Sequence, residues 1–137
     1  MLSDKDILYI NDIVYKAGQE ILKIYQTSFD VEIKSDKSPL TIADKNSHRI
    51  IKLGLEKRFP DIPILSEEGR DIPYSERAMW ESFWLIDPLD GTKEFIKKND
   101  EFTINIALIR KGAPIFGSVY APCMKELFWA AKGMGAW

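Results

Sequence analysis

The chain has 137 residues, of which 45% are hydrophobic and 29% are charged, and its formal net charge is −2. A chain of this length can bury about two-thirds of the surface it would expose unfolded, so we expect one folded domain. The composition excludes a disordered chain, and the slightly negative charge argues against binding to a nucleic acid polymer.

The single cysteine and the charged N-terminus bear on the cellular compartment. Cys123 alone can form neither an intrachain disulfide nor a cysteine-based zinc site, which favours the cytoplasm. The charged run Ser3–Asp6 argues against a signal peptide, and no apolar run reaches membrane-spanning length. Peripheral association with the inner face of the cell membrane and homo-oligomerisation stay open.

Two helices are predicted in the first half of the chain. The first has a capping-box spacing at Ser3 and Asp6 and an apolar stripe at three- and four-residue steps, formed by Ile7, Ile10, Val14, Ala17, Ile21 and Ile24. A polar connection follows, with one short strand candidate at Val31–Ile33. The second helix is predicted to start at Thr41, with Asp44 completing a capping box, and to run to Pro60. Within it, Asp44 could merely complement the helix dipole, and His48 has no catalytic companion close in sequence.

Two short apolar runs each end in a carboxylate. The run 63–66 precedes Glu67, and the run 83–86 precedes Asp87. If these strands lie side by side, Glu67 and Asp87 converge, and a cation between them would relieve their repulsion.

The second half alternates apolar and polar residues as strands of a meander do. Strands are predicted at 102–108, 115–120 and 126–131, with turns between them, and the four Trp residues are expected mainly in the sheet core. The predicted fold class is α+β, with two N-terminal helices packed on a largely antiparallel sheet.

The segment Asp87–Thr92 has the residues of a metal and phosphate site. Asp87 and Asp90 supply hard oxygen ligands for Mg²⁺, and Gly91 allows close approach of backbone to a ligand. The two acids could instead be turn formers and helix caps, but this leaves Glu67 and Thr92 unexplained. No nucleophile elbow or P-loop is present, so hydrolysis of a phosphate ester by a metal-activated water fits best, with Thr92 and Asp44 aligning that water.

Three segments together resemble the Mg²⁺-dependent phosphatase superfamily that includes inositol monophosphatase. They are the acidic turn Ser66–Glu68, the loop Asp87–Thr92 and the closing Gly133–Ala136, in the order found in that superfamily. Its layered αβαβα sugar-phosphatase fold would have this chain as its first half.

Further segments are similar to the CysQ branch of 3′(2′),5′-bisphosphate nucleotidases. These are Lys93–Lys97, Glu101–Ile109 and Val119–Pro122. The resemblance implies removal of the 3′-phosphate of adenosine 3′,5′-bisphosphate to give AMP, in support of sulfate assimilation, with 3′-phosphoadenylyl sulfate as a related substrate.

The resemblance also implies roles for individual residues. Metal ligands would be the carboxylates of Glu67, Asp87 and Asp90 and the backbone carbonyl of Leu89, holding two or three Mg²⁺ ions in the complete enzyme. Substrate contacts would come from Gly91, Thr92 and Glu67. The water would be activated by Asp44 with the Thr92 hydroxyl, and Lys34–Lys37 would form a loop approaching the metals.

One departure from the family pattern affects the domain assignment. Family members have a second half with a further metal-binding Asp after a Trp, and none of the four Trp residues here is followed by Asp. We therefore expect residues 1–137 to be the N-terminal metal- and phosphate-binding domain of a longer product. Whether this chain is active by itself stays open, as do two alternatives, an inositol- or sugar-phosphate phosphatase and a non-catalytic cation-binding fragment.

Overall fold

The computed structural model describes residues 2–26, 39–66 and 72–137, and its elements confirm the α+β class. The helices are α1 (Asp4–Tyr25), α2 (Pro39–Arg58), α3 (Tyr74–Arg77) and α4 (Thr92–Lys97). The strands are β1 (Ile64–Ser66), β2 (Ser82–Asp90), β3 (Thr103–Arg110), β4 (Ala113–Ala121), β5 (Glu126–Ala131) and β6 (Gly135–Ala136).

Helix α1 begins and packs as its sequence predicts. The Ser3 hydroxyl accepts a hydrogen bond from the Asp6 backbone at 3.2 Å, and the Asp6 carboxylate accepts one from the Ser3 backbone at 2.9 Å. This confirms the capping box. The buried stripe comprises Ile7, Ile10, Ile13, Val14, Ala17, Gly18, Ile21 and Tyr25, with Ile24 only partly buried.

Helix α2 begins two residues earlier than predicted, so the capping box at Thr41 and Asp44 is wrong. Pro39 opens the helix, which is favourable because a first-turn residue needs no backbone N–H and proline already has a helical φ. Asp44 therefore lies in the second turn, and its Oδ1 atom is buried. The strand candidate at 31–33 lies outside the described residues.

The strands form one six-stranded sheet in chain order. Strand β1 runs parallel to β2, and the remaining neighbours pair antiparallel, as the meander prediction requires. Helices α1 and α2 pack on each other and cover one face of the sheet, where Trp84, Ile104 and Phe116 are buried. Trp84 is thus a core residue as expected, whereas Trp137 is 68% exposed. Helix α3 and strand β6 were not predicted.

The opposite face of the sheet is largely uncovered in the described residues. Leu85, Val119 and Phe128 are 44%, 43% and 56% exposed. Strand alternation places Asp87 on the same face as Leu85, two residues away. A cavity of about 900 Å³ lies over this face, and Asp87 and Asn105 form part of its wall.

Candidate metal and phosphate site

The predicted acidic loop is the end of strand β2, with a register shift that separates its two acids. Asp87 pairs with Asn105 of β3, and Asp90 pairs with Thr103, so β2 has one residue more than β3 between these pairs. Such a β-bulge re-aims side chains and interrupts the ladder of backbone hydrogen bonds. Pro88, which lacks a backbone N–H, lies within this interruption, where it costs the sheet least.

Asp87 and Asp90 have different surroundings on either side of the bulge. Asp87 is partly buried, with its Oδ1 atom inaccessible to water, whereas Asp90 is exposed. Leu89 is only 2% exposed, so its side chain anchors this segment in the core. A ligand could thus approach the Asp90 side while the Leu89 side stays fixed.

Asn105 is a site residue that the sequence reasoning missed. Its Nδ2 atom donates a hydrogen bond to Asp90 Oδ2 at 3.0 Å, and its Oδ1 atom accepts one from Thr103 Oγ1 at 3.1 Å. It is also the strand partner of Asp87. The available signal was a pair of polar residues two apart in an otherwise apolar strand, which places both on one face.

Gly91 and Thr92 connect the bulge to helix α4. Gly91 has φ 89°, a left-handed conformation that glycine adopts without strain, and a Cβ there would approach Phe102 Cα to 3.3 Å. Thr92 is exposed at the first position of the helix. Phe95 anchors helix α4 in the core, because it is fully buried and its ring packs on Phe102.

Helix α2 brings polar side chains to the ends of both acid-bearing strands. Ser47 is fully buried and donates a hydrogen bond to the Pro88 carbonyl at 2.7 Å. His48 Nδ1 and Ser66 Oγ are joined by a hydrogen bond of 2.9 Å. The sequence analysis found no companion for His48, and the structure shows that Ser66 is its partner. Asp44 lies one turn before this pair, on a helix that contacts both β2 and α4.

The described residues fit a hard divalent cation in part. Asp87 and Asp90 provide two carboxylates at one strand end, which is the donor chemistry that Mg²⁺ prefers. Within residues 2–26, 39–66 and 72–137, no three His, Cys, Asp or Glu side chains are grouped as a metal cluster. Glu67 and the loop Lys34–Lys37 lie outside these ranges, so the roles assigned to them stay predictions. Ser66, the residue before Glu67, pairs with Ile86, the residue before Asp87.

A second polar cluster supports helix α4 from the end of α1. The Tyr25 hydroxyl donates a hydrogen bond to Asp100 Oδ1 at 2.7 Å, and its ring packs on Phe95. Burial, followed by the Asp100 hydrogen bond, raises the pKa of Tyr25 to about 12. Burial, followed by the negative charge of Asp100, raises the pKa of the Cys123 thiol to about 11, so this thiol is a poor nucleophile at neutral pH.

The fold matches solved structures of phosphatases. CysQ from Bacteroides thetaiotaomicron, described as a bacterial member of the inositol monophosphatase family, superposes with a TM-score of 0.88 at 47% identity, over 96% of this chain and 48% of that one. Inositol monophosphatase II from Staphylococcus aureus superposes with a TM-score of 0.80 at 26% identity, over 98% of this chain and 49% of that one.

Sequence comparison identifies the family. Residues 4–137 match the inositol monophosphatase family, and the chain belongs to it. A 3′(2′),5′-bisphosphate nucleotidase, CysQ of Salmonella typhimurium, is 52% identical over 124 residues, which are 88% of this chain and 49% of the relative. The chain thus spans about half the length of the curated relatives it matches. Among the described residues, no helix is both long and apolar enough to cross a membrane.

Proposed function

We propose that this chain carries the metal- and phosphate-binding part of a Mg²⁺-dependent phosphatase. Its reaction would remove the 3′-phosphate of adenosine 3′,5′-bisphosphate to give AMP and phosphate. The observation that carries the proposal is the pair of acids, Asp87 and Asp90, at the bulge that leads directly into Gly91 and Thr92. The similarity to the Salmonella nucleotidase supports the choice of substrate.

The metal ligands would come from two strand ends. We assign them to the carboxylates of Glu67, Asp87 and Asp90 and to the backbone carbonyl of Leu89. When bound, Mg²⁺ lowers the pKa of a coordinated water and offsets negative charge on the phosphoryl oxygens. Two or three such ions would act in the complete enzyme.

The remaining residues would bind the phosphate and orient the water. Gly91 and Thr92 would contact the phosphoryl group, together with Glu67. Asp44, on the helix that contacts both β2 and α4, would accept the proton of the attacking water while the Thr92 hydroxyl holds that water in line. The Asn105 amide would orient Asp90 through the hydrogen bond at 3.0 Å.

We also propose that a second domain, absent from these 137 residues, completes the site. The curated relatives are about twice as long as the matched region, and within the described residues the outer face of the sheet exposes Leu85, Val119 and Phe128. The substrate could extend to 3′-phosphoadenylyl sulfate. We place the protein in the cytoplasm, because a lone cysteine is compatible with a reducing compartment.

A second candidate is an inositol- or sugar-phosphate phosphatase with the same metal centre. The superposition on the Staphylococcus enzyme favours it, since that structure is an inositol monophosphatase. The deciding experiment compares Mg²⁺-dependent phosphate release from adenosine 3′,5′-bisphosphate and from inositol 1-phosphate, using both this chain and the full product of its gene. Preference for the inositol ester would overturn the substrate assignment, and Mg²⁺ binding without turnover of either ester by the full product would indicate a non-catalytic cation-binding module.

Asp90→Asn tests the metal site directly. We expect turnover by the full product to fall by about 100-fold or more, because a neutral amide is a poor Mg²⁺ ligand. The fold should survive, since Asp90 is exposed. Asp61→Asn is the matched control, being an exposed acid outside the site. Equal turnover by the two variants would remove Asp90 from the mechanism.

A further inference from the structure

Helix α2 contacts the ends of both acid-bearing strands through neighbouring residues. Ser47 bonds the backbone of β2 at Pro88, and His48 bonds the last side chain of β1 at Ser66. Consecutive helical residues point about 100° apart, so one helix can contact two adjacent strands in this way. We call these two hydrogen bonds the α2 clamp.

The Ser47 contact replaces a hydrogen bond that the sheet cannot make. Between the Asp87 and Asp90 pairs, β2 has one residue too many for β3, which interrupts the backbone ladder there. A buried carbonyl needs a donor, and Ser47 supplies it at the residue that follows Asp87. Since Ser47 is fully buried, water does not compete for this bond.

The His48 contact fixes β1, which has one neighbouring strand among the described residues. β1 is three residues long and lies at the edge of the sheet, with β2 on one side. The hydrogen bond between His48 and Ser66 gives the end of β1 a second attachment, at the residue before Glu67. The clamp thus acts on both segments from which the carboxylate ligands are proposed to come.

We propose that Ser47 and His48 are positioning residues that hold the ends of β1 and β2 at the spacing a shared cation requires. This inference rests on the proposed metal site. Carboxylates brought together without a cation repel each other, so their supports must keep them in place before the ion binds. In this role each residue acts through the strand end that it holds, Ser47 through Pro88 and His48 through Ser66. Losing either contact should weaken Mg²⁺ binding more than it weakens the fold.

The test is a titration of the full product with MgCl₂. The half-saturating Mg²⁺ concentration is measured in two ways, from the rise in unfolding temperature and from the rate of phosphate release. Residues that support metal ligands typically change affinity by about 10-fold or more, so Ser47→Ala should raise the half-saturating Mg²⁺ concentration about tenfold. His48→Leu should shift it in the same direction. His48→Asn should restore binding, because its amide can take the place of Nδ1 in the bond to Ser66.

Ser118→Ala is the matched control for Ser47→Ala. Ser118 is also a buried serine, 2% exposed, but its hydroxyl makes no hydrogen bond with the described part of the chain. Its removal should leave the half-saturating Mg²⁺ concentration unchanged. If Ser47→Ala does not fold, His48→Leu and its rescue by His48→Asn carry the test, because His48 is only partly buried.

The outcomes separate the clamp from the proposed function. A shift with Ser47→Ala and His48→Leu, absent from Ser118→Ala, supports the clamp even if no variant releases phosphate, in which case only the phosphatase proposal fails. The clamp is overturned if Ser47→Ala and His48→Leu both have the same half-saturating Mg²⁺ concentration as Ser118→Ala. A full product whose unfolding temperature does not respond to Mg²⁺ overturns the metal site and the clamp together.

Discussion

The two long helices lie side by side on the same sheet but use their inner faces differently. The buried residues of α1 are apolar side chains, one glycine and one tyrosine, and they fill the core. Helix α2 buries Ala43, Ile51 and Leu55 as well, but among them lies the polar Ser47. Its neighbour His48 bonds Ser66 at the end of β1, and Asp44 lies one turn earlier on the same helix. Helix α1 is therefore expected to stabilise the fold, and α2 to position the site.

This difference follows from where each helix lies over the sheet. α1 contacts β4, which pairs in regular register with β3 from Phe116 to Tyr120 and with β5 from Phe116 to Ala121; its register with β3 shifts only outside this stretch. α2 contacts β2, whose pairing is interrupted at the acids. An apolar helix face suffices over a continuous ladder, whereas the interrupted strand needs a hydrogen-bond donor from the helix. Substitutions in the two helices should consequently separate stability from activity.

Among substitutions in the two long helices, Asp44→Asn in α2 should have the largest effect on activity. We expect phosphate release by the full product to fall by about 100-fold or more, because an amide cannot accept the proton of the attacking water. Unfolding by urea should change little, since the amide has nearly the same shape as the carboxylate. Asp12→Asn in α1 is the matched control, because Asp12 is exposed and forms an ion pair with Lys16 on its own helix. Turnover that is equal in both variants would exclude Asp44 from the chemistry.

Ile21→Ala in α1 should lower stability and leave Mg²⁺ binding by the folded protein unchanged. Ile21 is fully buried, and removing its side chain should lower the free energy of unfolding by about 2–5 kcal/mol. Folded protein should keep its half-saturating Mg²⁺ concentration. Leu8→Ala on the same helix is the control, because Leu8 is 69% exposed and should cost less than about 0.5 kcal/mol. A large change in Mg²⁺ affinity with Ile21→Ala would contradict the division between the helices.

The core of α1 and the strands of the meander could be predicted because their patterns are local. The helical period of the stripe and the alternation in β3 are visible within a few residues of sequence. The start of α2 could not be predicted in this way. Thr41 and Asp44 have the spacing of a capping box, but the helix already begins at Pro39. Strand β6 is two residues long, too short for any period.

Of the described residues of the candidate site, the acids could be predicted from the sequence, whereas the polar residues that contact this segment could not. Asp87 and Asp90 could be placed at a strand end because an apolar run precedes them, and the structure has them there. The role of Ser47 could not be recognised from the sequence. Its partner is the backbone carbonyl of a residue 41 positions away, and every residue has such a carbonyl, so no residue type indicates the contact. Asn105 was missed because its role depends on the bulge that brings Asp90 opposite Thr103.

The smallest expected effect is at Asp6, which joins the start of α1 to the end of α2. Its carboxylate accepts the backbone N–H of Ser3 and bonds Arg58 Nε at 2.8 Å. The Ser3 hydrogen bond chiefly, with Arg58 assisting and burial opposing, holds the pKa of Asp6 below 3.8. Because the folded-state pKa is the lower one, this stabilisation is present above pH 3.8 and disappears as the pH falls through the lowered pKa.

Asp6→Asn should lower the free energy of unfolding by about 0.5–1 kcal/mol at pH 7 and by progressively less in acid, measured by urea unfolding. Ser3→Ala removes an uncharged cap and should cost about 1 kcal/mol with little dependence on pH. A deficit of Asp6→Asn that stays constant from pH 7 to acid would show that the charge of Asp6 does not stabilise the junction of the two helices.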